Sequence, residues 1–392
     1  MSVTIKEVKS RLELKAFISF PEKLYKDCPY WVNALWSDEY KTLLKSENPA
    51  FEYCEAWYFL AEREGKIAGR VAAIINHNAN RDWQVKNMRF GWLDFVDDIE
   101  VSGALLGKVE ELAYEKGMTA VNGPFGFTDM DREGMLTEGF ENMGAFTTLY
   151  NYSYYPEHLE KLGYIKDAEW IQREFDVPEE VPEKLKQYSR IVKQKYRVSI
   201  LETKSKKELR VYALGLFHAL NKAFVPLYGF TPISQKQIEW YVDQFLPLIN
   251  MDLVCLVVNE EDKVVAFAVT MPSLSRAMRE SKGRMFPFGF FKLLKALKSF
   301  ELVDLYMIGI IPEYQNKGIN AVIFDYLNSN FIRLGVKKVI ANPQLETNKA
   351  VQSIFDYYPG KVYSKRRCYI KSLRESVKEE DLQLQQPPPL QL

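Results

Sequence analysis

Apolar and polar positions along the chain pick out two hairpins far apart. Residues 56–62 read as an apolar, aromatic strand, 63–66 as a turn, and 67–75 as the returning strand. The same order recurs at 252–258, 259–263 and 264–270, and matching Lys66 to Lys263 sets an offset of 197 residues. Downstream, residues 117–124 resemble 335–342, each a helix-ending glycine followed by a buried strand, at an offset of 218. The second half therefore carries 218 − 197 = 21 extra residues, largely within 271–300. A short strand at 3–7 and helical periodicity over 9–27 precede the first hairpin. The repeat order predicts an α/β protein made by duplication of one domain, each copy a mixed twisted sheet flanked by helices.

A length of 392 residues suits two such domains. The division expected is 1–177, a join at 178–200, a second domain at 201–373, and a Pro/Gln-rich tail at 374–392. Lys and Arg number 52 and Asp and Glu 52, which disfavours a nucleic-acid-binding surface over the whole molecule. The zero sum hides local contrast. Residues 184–210 hold ten Lys/Arg against two Glu, read as a solvated helix face, whereas 94–100 hold four carboxylates. Cys28, Cys54, Cys255 and Cys368 are widely spaced, so buried thiols in a reducing cytoplasm are expected rather than a zinc site or disulfides. No apolar run is long enough to span a bilayer.

The segment with most chemistry is 302–327. An apolar strand stops at Pro312, a polar turn carries Gly318, and a helix follows with apolar residues at 319, 322, 323 and 327. Strand, glycine turn and helix N-terminus together make an anion site, because the first amides of a helix lack intrahelical partners and the dipole is positive there. Ile310-Ile-Pro-Glu-Tyr-Gln-Asn-Lys-Gly-Ile-Asn-Ala321 resembles the acyl-CoA motif of the GNAT superfamily of N-acyltransferases. Gln315 and Gly318 are in register, and Asn320 stands where the family has a second small residue.

The following strand and the Asn348-led segment also resemble the family, whose asparagine lines the pantetheine arm. Seven residues on, Phe355 replaces the family's frequent leaving-group tyrosine, with Tyr357 and Tyr358 nearby but out of register. With the 123–140 and 150–155 signatures, Pro29-Tyr-Trp-Val32, Asn48-Pro-Ala-Phe51 and Gly69-Arg70, residues 1–373 resemble a bacterial family of tandem GNAT-like proteins that brings no settled substrate.

The resemblance implies two tandem GNAT-like domains and transfer of an acyl group from acetyl-CoA or another acyl-CoA to an amine of a small molecule or peptide. Ile308 and Ile310 would hold the pantetheine, Gln315, Asn316, Lys317, Gly318, Ile319 and Asn320 the pyrophosphate, with Asn348 beyond. Asp304 is the candidate base, with Tyr357 and Tyr358 the candidate acids. No metal is expected. In the first half the acidic 94–100 stretch occupies the pyrophosphate position and would repel that group. Asp129, Asp131 and Glu133 are candidates for a substrate-amine site or a divalent-metal loop, though they lack the remaining spacing of a calcium loop, with capping and turn formation as the plainer role. Residues 286–300 are expected to pack across the domain interface, with a membrane-surface helix or a hydrophobic lid over an acyl or lipid substrate as the alternatives. Two other readings stay open: a non-catalytic binding or scaffold protein, and an aminoacyl-tRNA-dependent transferase.

Overall fold

In the computed structural model, which describes residues 2–203, 205–352 and 360–373, the two halves share one sheet. The first half runs β1 (Thr4–Glu7), α1 (Arg11–Leu24), α2 (Trp36–Leu43), β2 (Cys54–Arg63), β3 (Lys66–Asn76), α3 (His77–Asp82), β4 (Asn87–Phe95), α4 (Ile99–Glu115), β5 (Ala120–Gly123), β6 (Met135–Glu138), α5 (Tyr154–Lys161) and β7 (Ile165–Asp176). The join at 178–200 holds α6 (Glu183–Tyr196) and β8 (Ser199–Ile200). The second half continues with α7 (Lys206–Phe224), α8 (Gln235–Phe245), β9 (Val254–Val258), β10 (Val264–Pro272), α9 (Ser275–Glu280), α10 (Gly289–Ala296), β11 (Leu302–Ile310), α11 (Ile319–Leu334), β12 (Lys338–Ala341), β13 (Gln344–Leu345), α12 (Lys349–Gln352) and β14 (Lys361–Ser372).

The strand order is β1-β2-β3-β4-β5-β14-β7-β12-β11-β10-β9-β8, a palindrome about the β14·β7 pair. Even the small strands obey it, β6 pairing with β14 and β13 with β7. The duplication read from the offsets is therefore present as topology, and β5 and β12 begin 218 residues apart. The domain boundaries do not coincide with sheet boundaries. β7 of the first half is hydrogen-bonded to β12, and β14 of the second half to β5. Each half thus lends its last strand to the other, and β14 and β7 pair antiparallel from Lys361↔Glu174 to Ile370↔Ile165.

Within each half one parallel pair is made by a helical crossover, as a parallel ladder requires. α4 connects β4 to β5, and α11 connects β11 to β12. Local chemistry explains the helix ends. Ser10 forms a capping box with Glu13, Asp98 caps α4, and Gly335 closes α11 with φ of +76°. Separate cores back the two halves: Val101, Leu105 and Val109 of α4 pack with Val71, Ala73 and Phe90, while Val322, Ile323 and Leu327 of α11 pack with Val257, Phe267 and Val303. The four cysteines are buried and unpaired. Among the described residues no helix is long and apolar enough to cross a membrane.

Candidate active site

The parallel ladder between β11 and β12 is short. It runs from Leu302↔Lys338 to Leu305↔Ala341 and then opens. Asn342 sits at the fork, its backbone N–H donating to Leu305 O at 2.8 Å and its side-chain amide to Tyr306 O at 2.9 Å. Past the fork, among the described residues Met307–Ile310 keep their ladder with β10 only, so the other edge of the strand, with half-buried Ile308 and Ile310, has no strand partner there. Main-chain groups along such an edge can bind an extended, amide-bearing chain.

The strand leads into a one-turn 3-10 helix, Pro312–Tyr314, and then the glycine turn. Gln315 folds back, its side-chain amide donating to Ile310 O at 3.0 Å, and so braces the turn against the strand. Asn316 and Gly318 both take left-handed backbone, with φ of 58° and 74°. Gly318 is the N-cap of α11, and no side chain caps that first turn. Glycine suits 318: a Cβ there would lie 2.6 Å from the Tyr188 hydroxyl of α6 and 2.8 Å from its ring, so that half-exposed side chain would have to move, and the left-handed backbone disfavours most other residues. Ile319 is buried and Asn320 half-buried, while Lys317 lies over the Tyr196 and Tyr314 rings at 5.5 and 5.3 Å. The result is an uncapped, dipole-positive helix end beside a strand edge, which fits an anionic group joined to an extended chain. Asn348 Oδ1 accepts from Val351 N at 3.3 Å, a capping bond at the start of α12. Phe355, Tyr357 and Tyr358 lie outside the described residues.

Asp304 stands on β11 just before the fork. It is buried, and apart from the nearby Ser273 hydroxyl its carboxylate finds no hydrogen-bonding group among the described residues, nor does the neighbouring Tyr306 hydroxyl. Burial pushes the Asp304 carboxyl up to about 7, with Ser273 opposing the shift. Asp304 does not line the large cavity that lies nearby between the halves.

That cavity, of about 200 Å³, has its floor on Arg70 and Trp92–Asp94 of the first half and its roof on Trp240, Phe245, Leu274, Met278 and Leu293 of the second. Its wall includes Asp131, Arg132 and Thr147. Thr147 donates to Asn342 Oδ1 at 3.0 Å, so one hydrogen bond joins the cavity wall to the β11/β12 fork. Neither Thr147 nor Asn342 is conspicuous in the sequence, because their meeting depends on contact between residues 195 apart.

The loop carrying Asp129, Asp131 and Glu133 is held by both halves. Asp131 accepts from Thr128 N at 3.0 Å, and the Thr128 and Tyr241 hydroxyls are 2.9 Å apart. Burial pushes Asp131 up to about 6 and Asp129 to about 7, with Arg89 opposing, and it drives Glu133 well above the usual range. Of the three, Asp131 lines the cavity. Among the described residues no group of three or more His, Cys, Asp or Glu is arranged to hold a metal.

The first-half counterpart of the glycine turn is engaged internally. Asp94 pairs with Arg70 at 2.8 Å and accepts from Tyr25 at 2.9 Å, while Asp98 caps α4 and pairs with Arg63. Glu100 also meets Arg63 at 3.0 Å, and Asp97 meets His158 at 3.1 Å. Its strand edge is occupied too, with Phe95 N donating to the Tyr155 hydroxyl at 3.0 Å and the Tyr154 hydroxyl donating to Phe95 O at 2.6 Å.

A scan against protein-family models finds no match. Two relatives align along nearly the whole chain. Protein YghO of Escherichia coli is 27% identical over 373 residues, covering 92% of this chain and 93% of the relative. A protein named bacterial ceramide synthase, from Caulobacter vibrioides, is 25% identical over 374 residues, covering 93% and 96%. Among solved structures, a tandem GNAT protein from the clavulanic acid biosynthesis pathway superposes with a TM-score of 0.52 at 11% identity, covering 96% of this chain and all of that one (100%). A GCN5-related N-acetyltransferase from Sphaerobacter thermophilus gives 0.50 at 10% identity, covering 96% and 97%. The chain has the tandem GNAT fold, an acyltransferase-like architecture.

Proposed function

We propose that this protein is an acyl-CoA-dependent N-acyltransferase whose second half holds the acyl-CoA and whose interhalf cavity receives the amine. The observation that carries the reading is the join between the β11/β12 fork and the cavity wall through Asn342 and Thr147. The strand edge at Ile308–Ile310 would bind the pantetheine, and the turn from Gln315 to Asn320 would face the pyrophosphate. Acyl transfer forms the bond between the amine nitrogen and the acyl carbon, breaks the carbon–sulfur bond, and releases CoA as the thiolate. The attacking nitrogen must first lose the extra proton of its ammonium form. Asp131 is the group placed to take it: it lines the cavity, and a carboxylate with a pKa near 6 is a usable base at neutral pH. Asp304 lies off the cavity wall, so the reading gives it no part in the proton transfer.

The acceptor we favour is a long-chain amine. The cavity is walled largely by aromatic and aliphatic side chains, and one full-length relative is named for the synthesis of ceramide, which is an amide of a long-chain amino alcohol. Acyl-CoA is a cytoplasmic co-substrate, which is where the reading puts the protein.

The test is calorimetry with acetyl-CoA and palmitoyl-CoA, followed by mass spectrometry of reactions containing sphinganine. Wild type should bind an acyl-CoA and form the amide. Gly318→Asp, which forces a side chain against Tyr188 and adds a negative charge at the turn, should weaken binding about 100-fold. Absence of binding for both acyl-CoAs would sink the proposal, and binding without turnover would leave a binding protein.

A further inference from the structure

The palindrome isolates one segment with no equivalent in the first half. Ten residues connect β3 to β4, whereas 273–301 connect β10 to β11 and hold α9 and α10. Gly289 and Leu293, one helical turn apart, face inward on α10, and Leu293 joins Val32, Met271, Leu274 and Met278 in an apolar cluster spanning both halves. The expected packing across the interface is thus made by one face alone. The rest of the segment is bare: on α10 Phe291 is 67% exposed, Phe290 44% and Leu294 40%, and just before it Phe286 is 86% and Phe288 70% exposed. Five large apolar side chains within nine residues form a patch of the kind that monomeric soluble proteins avoid.

Charge surrounds this patch. Residues 275–300 carry seven Lys/Arg and one Glu, a surplus of six positive charges in a chain whose total is zero. Arg284 is neutralised by Glu22 at 3.0 Å, and Lys292 leans on Glu280 at 3.8 Å. Arg276, Arg279, Lys282, Lys295 and Lys298 are exposed and make no ion pair among the described residues. Aromatic side chains flanked by unneutralised lysines and arginines are the composition of a surface that inserts shallowly into a negatively charged bilayer interface. A protein partner buried on this patch would need matching carboxylates around an apolar centre, whereas an anionic bilayer supplies both features without specific shape.

We propose that the face formed by Phe286, Phe288, Phe290, Phe291 and Leu294, with Lys295 and Lys298 beside it, docks the protein onto anionic lipid bilayers. The same helix presents Leu293 to the cavity, so docking brings the cavity roof to the membrane, where a long-chain amine would reside. The inference stands apart from the acyl-transfer reading, since vesicle binding is measured without acyl-CoA.

The experiment is flotation of the full chain with vesicles of equimolar phosphatidylglycerol and phosphatidylcholine, against vesicles of phosphatidylcholine alone. Wild type should float with the anionic vesicles and dissociate as salt rises. The F286S/F288S/F290S/F291S variant should lose about tenfold or more in partitioning, and K295E/K298E should lose its preference for anionic vesicles. All the substituted side chains are exposed, so melting temperatures should stay near wild type. Equal flotation of wild type and the serine variant would overturn the proposal, as would equal binding to both vesicle types. A lipid-free dimer by light scattering that the serine substitutions dissolve would also overturn it, by making the patch a contact between two copies.

Discussion

The third position of each parallel ladder shows how far the two halves have diverged. In the first half Arg89 pairs with Asn122, and in the second Asp304 pairs with Ile340. Arg89 reaches into its own fork and donates to Gly126 O and Gly229 O, both at 3.2 Å, so that fork is closed by hydrogen bonds. Asp304 bonds to nothing across its fork among the described residues, and the fork opens toward the unladdered edge of β11. Further along, Tyr154 and Tyr155 cover the first-half strand edge, and four carboxylates occupy the turn that in the second half is an uncapped glycine N-terminus. In the first half the polar side chains around the fork find protein partners, whereas in the second the corresponding strand edge and helix end are left without them among the described residues.

Three experiments bear on that contrast. The largest effect is expected from Arg70→Met, which leaves Asp94 a buried carboxylate without its cation. Removing one partner of a buried pair costs about 3–5 kcal/mol, read as a shift in the urea midpoint. A change near zero would mean the first-half cluster contributes little to the fold.

Asp304→Asn should act in the opposite direction and with pH dependence. Because the folded state raises this carboxyl from 3.8 to about 7, the folded form holds the proton more tightly than the unfolded. Wild-type stability should therefore fall as pH rises from about 4 to 7, and the amide should remove that loss. Thermal melts should show the variant gaining most at pH 8 and nearly nothing at pH 4. A gain independent of pH would show that the carboxyl is not titrating in that window.

The smallest effect is expected from Asp98→Ala, which deletes the α4 cap and should cost about 1 kcal/mol. In the proposed division of labour it leaves acyl-CoA affinity unchanged by calorimetry. A weakened affinity would instead assign the co-substrate to the first half.

Much of this architecture was legible in local pattern. The hairpins at 54–76 and 254–272, the glycine ends of α4 and α11, and the strand–turn–helix at 302–334 all follow from periodicity and turn chemistry acting over a few residues. The offset of 218 even matched the spacing of β5 and β12. The partners of polar groups were not legible. Acidic residues at 94–100 read as repulsive, yet Arg63, Arg70, Tyr25 and His158 neutralise or bond them from elsewhere in the fold.

By itself, then, the sequence determined the elements, their repeated order and the glycine turn ahead of α11. Tertiary structure decided that β7 and β14 cross between halves, that Asn342 meets Thr147 beside a shared cavity, and that α10 buries one face and exposes the other. The physical reason is range. Helix and strand patterns report interactions between near neighbours, whereas strand exchange and burial depend on which edges and faces meet after the chain has closed on itself.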